Sequence, residues 1–444
     1  MTTETELDAG LKAVLPLTAE VNAAGHLSIG GVDALELARH FGTPLYVFDE
    51  DDLRARCREL RSEFETRLPD VVVLYASKAY IGKALAGLMD DEGMGLDVVA
   101  GGEIAIARAA EFPMDRVYMH GNNKSREEVE EAIQAGTGRI VLDNLQDIDL
   151  VNEAARAAGM LQTVLLRITP DVDPHTHSHI STGVIDSKFG LPLVEGQAEE
   201  AMRRALAAPH LEVVGIHCHI GSQLFETEPY AEAIDKTLGF AADMTQKHGL
   251  DLREFSPGGG FGLQYTRDEA PPPVSEFAIT IAKAVTDACR RYGLPVPRVI
   301  IEPGRSVVGR AGVALYSVGA RKEVPGVRTY VAVDGGMADN IRPAIYGSRY
   351  EALAAGRPLA AAEETVTIAG KYCESGDILV RDVALPRLSQ GDVLAIPAAG
   401  AYCLAMASNY NGALKPAIVF VRDGEARLVR RRETYADLMA CEVG

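Results

Sequence analysis

The chain lacks several features that mark particular classes of protein. It has 444 residues and no run of 18 uncharged apolar residues, so we expect no membrane-spanning helix. Its six cysteines are spread along the chain without a C-x-x-C pair, which is typical of reduced cytoplasmic thiols and excludes a dense disulfide framework. The first ten residues, "MTTETELDAG", have no basic segment followed by an apolar one, and we therefore expect no secretory signal.

The chain also has less positive than negative charge. Lysine and arginine number 44 against 63 aspartates and glutamates, so the formal net charge is −19. An acidic surface disfavours nucleic acid and anionic membranes as the main partners, although it permits a local basic pocket for a small anionic substrate. The hydrophobic fraction of 47% is that of an ordinary globular protein, and the length favours one large domain with a smaller one.

A strand-and-helix pattern repeats eight times between residues 70 and 305. The β-rich runs are "VVVLYAS", "GLDVVA", "RVYMHG", "RIVLDN", "TVLLRI", "EVVGIHCHIG", "REFSPGGG" and "RVIIEPG", and helix-like segments such as "SREEVEEAIQAG" lie between them. Eight repeats over about 235 residues predict an α/β fold of the (β/α)8 barrel type. An open, doubly wound sheet is the alternative, but it usually has fewer strands and a phosphate-binding glycine loop after the first one.

Polar side chains accompany the ends of most of these predicted strands. In chain order they are Lys78, Asp97, His120, Asp143, Asn144, Arg167, the segment 217–222, the glycines 258–260 and the segment 302–305. Any one of them could simply belong to a polar turn. Barrel enzymes, however, collect their catalytic groups at the carboxyl ends of the strands. We therefore interpret the whole set as the rim of an active site.

Two of these features indicate a particular cofactor. Lys78 follows an apolar run in "VVVLYASKAY", where a charged amine is costly unless it is used. "SPGGGFG" at 256–262 follows the seventh strand, and consecutive glycines let backbone N–H groups approach a phosphate. It matches neither a P-loop nor a well-placed dinucleotide fingerprint. Because a buried lysine has a lowered pKa and can form an imine with an aldehyde, the pair suggests pyridoxal phosphate held by Lys78.

Ten motifs resemble, in the same order, those of one group of enzymes. They are "YASKA", "GLDVVAGGE", "HGNNKS", "ISTGVIDSKFG", "HCHIGSQ", "PGGGFG", "EPGRS", "IRPAIYG", "CESGD" and "GAYCLAMASNYN". The chain is similar to the fold-type III, alanine-racemase-like pyridoxal phosphate decarboxylases, and most similar to the diaminopimelate decarboxylases. The resemblance implies a barrel over 45–305 and a β-rich domain that combines residues 1–44 with 306–444. Strand-like runs after residue 310, such as "RTYVAVDGG", independently indicate a β-rich domain.

The resemblance also implies how pyridoxal 5'-phosphate is held. Lys78 would form the imine, His219 would stack on the pyridine ring, and Glu302 would hydrogen-bond the ring nitrogen and keep it protonated. A protonated ring is a strong electron sink, which favours loss of CO2 over racemisation. Further cofactor residues implied in this way are Ser222, Gly258, Gly259, Gly260, Gly304, Arg305 and Tyr402, of which Tyr402 would also touch the substrate.

The substrate contacts are implied in the same way. Arg305, Arg342 and Tyr346 would bind carboxylates, since planar guanidinium groups suit bidentate recognition, although Arg342 could instead form a surface salt bridge. Cys373 would be the general acid that reprotonates the α-carbon, and Glu374 would bind the distal ammonium. In the family both residues come from the neighbouring subunit, so the resemblance implies a homodimer.

The leading interpretation is decarboxylation of meso-2,6-diaminopimelate to L-lysine and CO2, the last step of lysine biosynthesis, in the cytoplasm. The alternative is a decarboxylase of the same fold that acts on ornithine, arginine or a carrier-bound amino acid. Ornithine-type enzymes usually carry an aspartate after the catalytic cysteine, where this chain has Glu374. A regulatory homologue without activity is disfavoured because Lys78, Cys373 and Glu302 are all retained.

Two segments depart from the simplest pattern. "HTHSH" places His175, His177 and His179 on one face of a predicted strand, which could suggest zinc. Three-histidine sites usually take ligands from more than one element, so we predict no metal. Lys371 and Tyr372 precede "CESGD" where small residues or proline are expected, and both could alter the substrate entrance.

Overall fold

The structure is a computed structural model that describes residues 7–173 and 186–443. The predicted metal-free state of His175, His177 and His179 falls outside the described residues and stays a prediction. The described chain divides into two units. We call the part within 1–56, 263–270 and 305–444 the β unit, and the part within 57–262 and 271–304 the barrel unit.

Short elements precede the barrel. They are α1 (Ala9–Val14), β1 (Glu20–Val21), β2 (Leu27–Ile29), β3 (Val32–Asp33), α2 (Ala34–Phe41), β4 (Leu45–Asp49) and α3 (Glu50–Glu65). Strands β1 to β3 form an antiparallel sheet. Asp8 and Asp33 begin α1 and α2 by accepting hydrogen bonds from backbone N–H groups of the first turn, which those groups cannot make within the helix.

Eight parallel strands close into a ring in the barrel unit. They are β5 (Val71–Ala76), β6 (Gly95–Val98), β7 (Val117–Met119), β8 (Arg139–Leu142), β9 (Gln162–Thr169), then, after the two-residue strand β10 (Leu191–Pro192), β11 (Leu211–Cys218), β12 (Glu254–Gly258) and β13 (Arg298–Ile301). The pairings of β13 with β5 and of β8 with β9 close the ring. Each predicted run overlaps one of these strands. The (β/α)8 prediction is therefore confirmed, and the open-sheet alternative is wrong.

Helices surround these strands in the expected alternation. They are α4 (Lys83–Asp91), α5 (Gly101–Ala109), α6 (Arg126–Ala135), α7 (Leu145–Ala158), α8 (Gln197–Ala207), α9 (Glu228–His248) and α10 (Val274–Tyr292). Helix α6 shows how the sequence sets their ends: Ser125 and Glu128 form a capping box, and Gly136 ends the helix in the left-handed conformation. A buried cluster inside the barrel unit comprises Leu74, Tyr118, Val141, Leu165, Val214 and Ile300, each from a different strand.

The β unit is built on a mixed sheet. Its remaining elements are α11 (Arg305–Val308), β14 (Gly312–Val324), β15 (Arg328–Val333), α12 (Arg342–Tyr346), β16 (Leu353–Ala354), β17 (Glu364–Ala369), β18 (Ile378–Leu385), β19 (Val393–Ile396), β20 (Ala417–Arg422), β21 (Glu425–Arg430) and α13 (Tyr435–Met439). The main strand order is β18-β17-β15-β14-β4-β20-β21, and β19 pairs with β14 and β16. The predicted β-rich domain is thus present.

Strand β4 belongs to a different unit from the one in which the predicted domain boundary places it. The barrel range was predicted to begin at residue 45, yet β4 pairs with β14 and β20 of the β unit. All five of its residues are buried, and Leu45 and Val47 pack in a core with Leu11, Leu37 and Val313. A strand buried on both faces is stabilised by sheet neighbours on each side, which β14 and β20 supply. Among the described helices, none is long and apolar enough to cross a membrane.

Candidate active site

Lys78 lies immediately after β5, in a short 3-10 turn formed by Ser77–Ala79. Its neighbours in the turn are buried, but Lys78 itself is exposed, because the turn carries its side chain out of the packed strand. The expectation that this lysine is buried at the strand end is therefore wrong. Burial raises the pKa of the Asp97 and Glu103 carboxyls, and the Lys78 ammonium opposes that rise at both. The amine thus faces a carboxylate-rich rim.

Glu302, directly after β13, is the centre of a buried polar cluster and is 7% exposed. Its Oε2 lies 3.0 Å from Nε2 of His217, and its Oε1 accepts a hydrogen bond of 2.8 Å from the Ser256 hydroxyl. His120 Nε2 lies 3.6 Å from Oε1. Burial raises the pKa of the Glu302 carboxyl, but the two histidines and the hydrogen bonds outweigh it and bring the pKa below its ordinary value. Glu302 is therefore an ionised carboxylate.

Two histidines of the same rim, His120 and His219, favour their neutral forms. Burial is the largest cause that lowers the pKa of His120 and of His219, and at His219 the Lys78 charge acts in the same direction. Within the described part of the chain, His120 Nε2 and His217 Nδ1 are buried without a hydrogen-bond partner. Such orphaned buried atoms are costly, so they indicate that a polar group completes this site. The donor atoms of His120, His217 and Glu302 lie within 4.8 Å of one another, a spacing that a metal ion could also use.

The glycines 258–260 form a closely packed backbone loop after β12. The Glu302 N–H donates a hydrogen bond of 3.0 Å to the Gly258 carbonyl, which joins this loop to the end of β13. A Cβ atom on residue 259 would lie 1.8 Å from the Glu302 carbonyl oxygen, and one on residue 260 would lie 2.1 Å from the Gly221 carbonyl oxygen. Only glycine fits at these two positions. The result is a cradle of bare backbone of the kind that phosphate groups occupy.

The other predicted cofactor residues of the barrel unit also follow strand ends. His219 and Ser222 come after β11 and are half-buried. The Gly259 N–H donates to His219 Nδ1 at 3.4 Å, which links the imidazole to the glycine loop. Gly304 is buried after β13, and a Cβ there would lie 3.1 Å from the Ala76 Cβ. The cradle, the orphaned imidazole nitrogens and the Lys78 amine fit an aromatic cofactor that carries a phosphate and an aldehyde.

A second lysine of this rim has a different environment. The Lys124 side chain is fully buried, and its Nζ donates to the Asp147 carboxylate at 2.7 Å and to the Gly121 carbonyl at 2.6 Å. Asp147 also accepts the backbone N–H of Asp143 at 2.9 Å. These bonds hold Lys124 as a structural cation that joins the ends of β7 and β8.

In the β unit, two arginines and three tyrosines form a cluster that is buried except for the half-buried Tyr402. Arg342 donates to the Tyr350 hydroxyl, and its guanidinium carbon lies 4.4 Å from the Tyr265 ring centroid. Arg305 Nη1 donates to Tyr265 Oη at 2.9 Å, and its guanidinium carbon lies 4.9 Å from the Tyr402 ring centroid. This set, which we call the arginine–tyrosine cluster, includes Tyr265 and Tyr350, which the sequence argument did not identify.

Arg342 is 5% exposed, so the alternative that it forms a surface salt bridge is wrong. Within residues 7–173 and 186–443, the groups that act on Arg342 are tyrosines and a cysteine, and no carboxylate is among them. A buried guanidinium without an anion is costly, which suits it to bind the carboxylate of a ligand. Tyr346 is half-buried in α12, on the same helix as Arg342. Tyr402 is half-buried and has a φ of 62°.

The "CESGD" motif forms the turn between β17 and β18. Cys373 and Glu374 are both exposed there, and Cys373 is a free cysteine. The Cys373 N–H donates to Asn411 Oδ1 at 3.0 Å, and the Tyr410 hydroxyl donates to the Cys373 carbonyl at 3.3 Å. Sequence reasoning did not identify these two partners, although both belong to the quoted motif "GAYCLAMASNYN".

Residues 50–309 match the family model described as pyridoxal-dependent decarboxylase, pyridoxal binding domain. The chain is 48% identical to a diaminopimelate decarboxylase of Bacillus subtilis over 96% of its length and 97% of that protein. It is 42% identical to one of Mycobacterium tuberculosis over 97% of its length and 98% of that protein. The crystal structure of a diaminopimelate decarboxylase from M. jannaschii, in complex with L-lysine, matches with a TM-score of 0.90 and 37% identity over 96% of this chain and 98% of that one. This chain belongs to the diaminopimelate decarboxylase family of pyridoxal-dependent decarboxylases.

Proposed function

We propose that this chain decarboxylates meso-2,6-diaminopimelate to L-lysine and CO2, with pyridoxal 5'-phosphate bound in the barrel unit. The observation that carries the proposal is the Glu302 carboxylate, which is buried, ionised and held by His217 and Ser256. The relatives named diaminopimelate decarboxylase, and the related M. jannaschii protein crystallised with L-lysine, support the choice of substrate and product.

The barrel-unit residues would hold the cofactor as follows. Lys78 would bind its aldehyde carbon, the 258–260 loop with Ser222 would bind its phosphate, and His219 would lie against its ring. Pyridoxal phosphate, when bound, supplies an electron sink for the carbanion left by loss of CO2. A neutral His219 adds no positive charge beside that ring. An ionised Glu302 would keep a proton on the ring nitrogen, which makes the sink strong.

The arginine–tyrosine cluster supports a substrate with a second carboxylate. Arg342 is buried, and the second carboxylate of a dicarboxylate would compensate the cost of burying its guanidinium. Ornithine and arginine lack the second carboxylate and would leave that cost uncompensated. Tyr346 and Tyr402 would line the same carboxylate-binding region. Glu374 would bind the distal ammonium group.

We further propose that Cys373 donates the proton that replaces CO2 on the α-carbon, and that it does so in the partner subunit of a homodimer. Its exposure on the turn between β17 and β18 supports a role toward a neighbouring chain. A thiol that must stay reduced to work suits the cytoplasm, where all six cysteines, which are thiols in this structure, would remain reduced.

One assay tests the substrate. CO2 release is measured in parallel from meso-, LL- and DD-diaminopimelate, L-ornithine and L-arginine, with protein stripped of cofactor as the control. We expect release from meso-diaminopimelate alone, and only after pyridoxal phosphate is restored. Equal or faster release from ornithine or arginine would contradict the proposed substrate. The matched variant Arg342→Lys keeps the charge but loses the planar fork, so we expect a raised KM for the dicarboxylate.

A further inference from the structure

Two consecutive residues, Tyr410 and Asn411, hold both polar backbone groups of Cys373. Asn411 Oδ1 accepts the Cys373 N–H at 3.0 Å, and the Tyr410 hydroxyl donates to the Cys373 carbonyl at 3.3 Å. The Tyr410 ring also packs edge-on against Tyr372, with the ring centroids 6.3 Å apart. The two residues thus fix the peptide units on either side of the thiol-bearing carbon.

The segment that supplies these contacts is itself anchored. Asn409 Nδ2 donates to the Ala413 carbonyl and to Glu433 Oε2, both at 2.8 Å, so a 3-10 turn at Tyr410–Gly412 is closed at its base. Asn411 lies in the left-handed region, with a φ of 54°. Glycine, asparagine and aspartate tolerate this backbone, but of these only asparagine and aspartate carry a side-chain oxygen that can accept a hydrogen bond. Asparagine at 411 therefore supplies both the left-handed backbone that the turn requires and the oxygen that accepts the Cys373 N–H.

The base of the Cys373 turn is held differently. The Lys371 N–H donates to the Gly335 carbonyl at 3.1 Å, and the Tyr372 N–H donates to the Asp377 carboxylate at 2.8 Å. These bonds fix where the turn leaves and rejoins the sheet. Tyr410 and Asn411 contact the turn farther from the sheet, at its exposed tip, where Cys373 lies.

We propose that Asn411 is a positioning residue that sets the direction of the Cys373 thiol, with Tyr410 as its support. The inference rests on the proposed function, in which Cys373 donates a proton to the α-carbon. Proton transfer requires the donor and acceptor atoms within hydrogen-bond reach, and a displacement of about 1 Å is enough to slow such steps strongly. Loss of the Asn411 acceptor should therefore lower kcat and leave substrate binding nearly unchanged.

The test compares Asn411→Gly with Asn411→Asp in the cofactor-loaded protein. Glycine keeps the left-handed backbone and removes the acceptor, whereas aspartate keeps both. The matched control is Asp423→Gly, which replaces another exposed residue of positive φ, 52°, in the turn between β20 and β21. The readouts are kcat and KM for meso-diaminopimelate and the hydrogen exchange of the Cys373 amide, followed by mass spectrometry of a peptide that covers 371–376.

For Asn411→Gly we expect kcat to fall about tenfold, KM to change less than about twofold and the Cys373 amide to exchange about tenfold faster. Asn411→Asp should stay within about threefold of the wild type in all three measurements, because its acceptor remains. Asp423→Gly should change none of them. Unchanged exchange or unchanged kcat in Asn411→Gly overturns the inference, as does an equal loss of kcat in Asn411→Asp.

The failure of the proposed function would look different. If the wild type releases no CO2 from meso-diaminopimelate, or if Cys373→Ala keeps wild-type kcat, the proposed role of Cys373 is wrong. Asn411 then has no proton donor to position. The exchange rate of the Cys373 amide does not depend on turnover, so it still decides whether Asn411 holds that backbone.

Discussion

At the residue scale, the environment of each titratable group decides what the barrel unit can do. Glu302 is held ionised by its contacts with His217 and Ser256, whereas burial drives His120 and His219 toward their neutral forms. A carboxylate beside neutral imidazoles is a distribution of charge suited to binding a cationic ring nitrogen. Lys78 differs from these groups because it is exposed and therefore accessible to an incoming aldehyde.

We expect borohydride reduction of the cofactor-loaded protein to leave a pyridoxyl group on Lys78, found by mass spectrometry of its peptides. Lys78 offers an accessible amine, while Lys124 is buried and bonded to Asp147. Lys78→Ala should abolish the adduct and the yellow absorbance that reduction bleaches. An adduct on Lys83 or Lys124 in the wild type would reassign the lysine that holds the cofactor.

Glu302→Gln should lower turnover by about two orders of magnitude or more, because a neutral amide cannot stabilise a protonated ring nitrogen. The cofactor should stay bound, since Lys78 and the glycine loop are intact, and its absorbance after gel filtration measures that. Ser256→Ala is the matched control: it removes a hydrogen bond to Glu302 but keeps the charge, so a smaller loss is expected. Near-wild-type turnover in Glu302→Gln would rule out this role.

The residues that carry charge or a reactive amine could be predicted from motifs, but their partners could not. Ser256 and Glu302 are 46 positions apart, and their hydrogen bond depends on two strands meeting with the right rotamers. Tyr265 and Tyr350 likewise reach the arginines only through the fold. The exposure of Lys78 was missed because an apolar run indicates a buried strand and gives no information about the turn that follows it.

At the scale of elements, the loop after β12 shows how three strands are joined at one point. Residue 259 lies against the Glu302 backbone after β13, and residue 260 lies against the Gly221 backbone after β11. The order of the eight barrel strands could be predicted from their repeated pattern, because parallel strands with helical crossovers have few allowed topologies. The placement of β4 could not, since a short buried strand has the same pattern in either unit.

Gly259→Ala should destabilise the protein and reduce retention of the cofactor, because the new Cβ would lie 1.8 Å from a backbone oxygen that cannot move aside. Gly87→Ala is the matched control: among the residues that the structure describes, no heavy atom beyond its own helix lies within 4 Å of a Cβ at that position in α4. It should be neutral or raise stability by about 0.5–1 kcal/mol through helix propensity. Thermal unfolding and bound-cofactor absorbance measure both variants, and equal behaviour would show that the loop tolerates a side chain.

At the scale of the whole molecule, the two units carry different parts of the proposed chemistry. The barrel unit contains Lys78 and Glu302, and the β unit contains Cys373 and the arginine–tyrosine cluster. The two-domain organisation could be predicted from the end of the strand–helix alternation near residue 310. The assembly of subunits could not be predicted from composition, because it depends on the complementarity of two surfaces. The homodimer was inferred only from the resemblance to the family.

If subunits share active sites, Lys78→Ala and Cys373→Ala homodimers should each be nearly inactive, and mixing them should restore activity. In a mixed dimer one site carries both defects and the other carries neither, so random assortment should give roughly a quarter of wild-type activity. Exchange is verified first with two differently tagged wild-type proteins. With exchange verified, a mixture that stays inactive would show that Cys373 serves its own chain or that the chain does not pair in this way.

The tight packing at Gly259 also limits how the gene can change over generations. The obstacle to a side chain there is the main-chain carbonyl of Glu302, so no second substitution at a neighbouring side chain can make room for it. A larger residue at 259 can therefore be corrected only by a return to glycine. Positions such as Gly87, which face open space, remain free to drift. We therefore expect position 259 to stay glycine in related chains while open positions such as 87 vary.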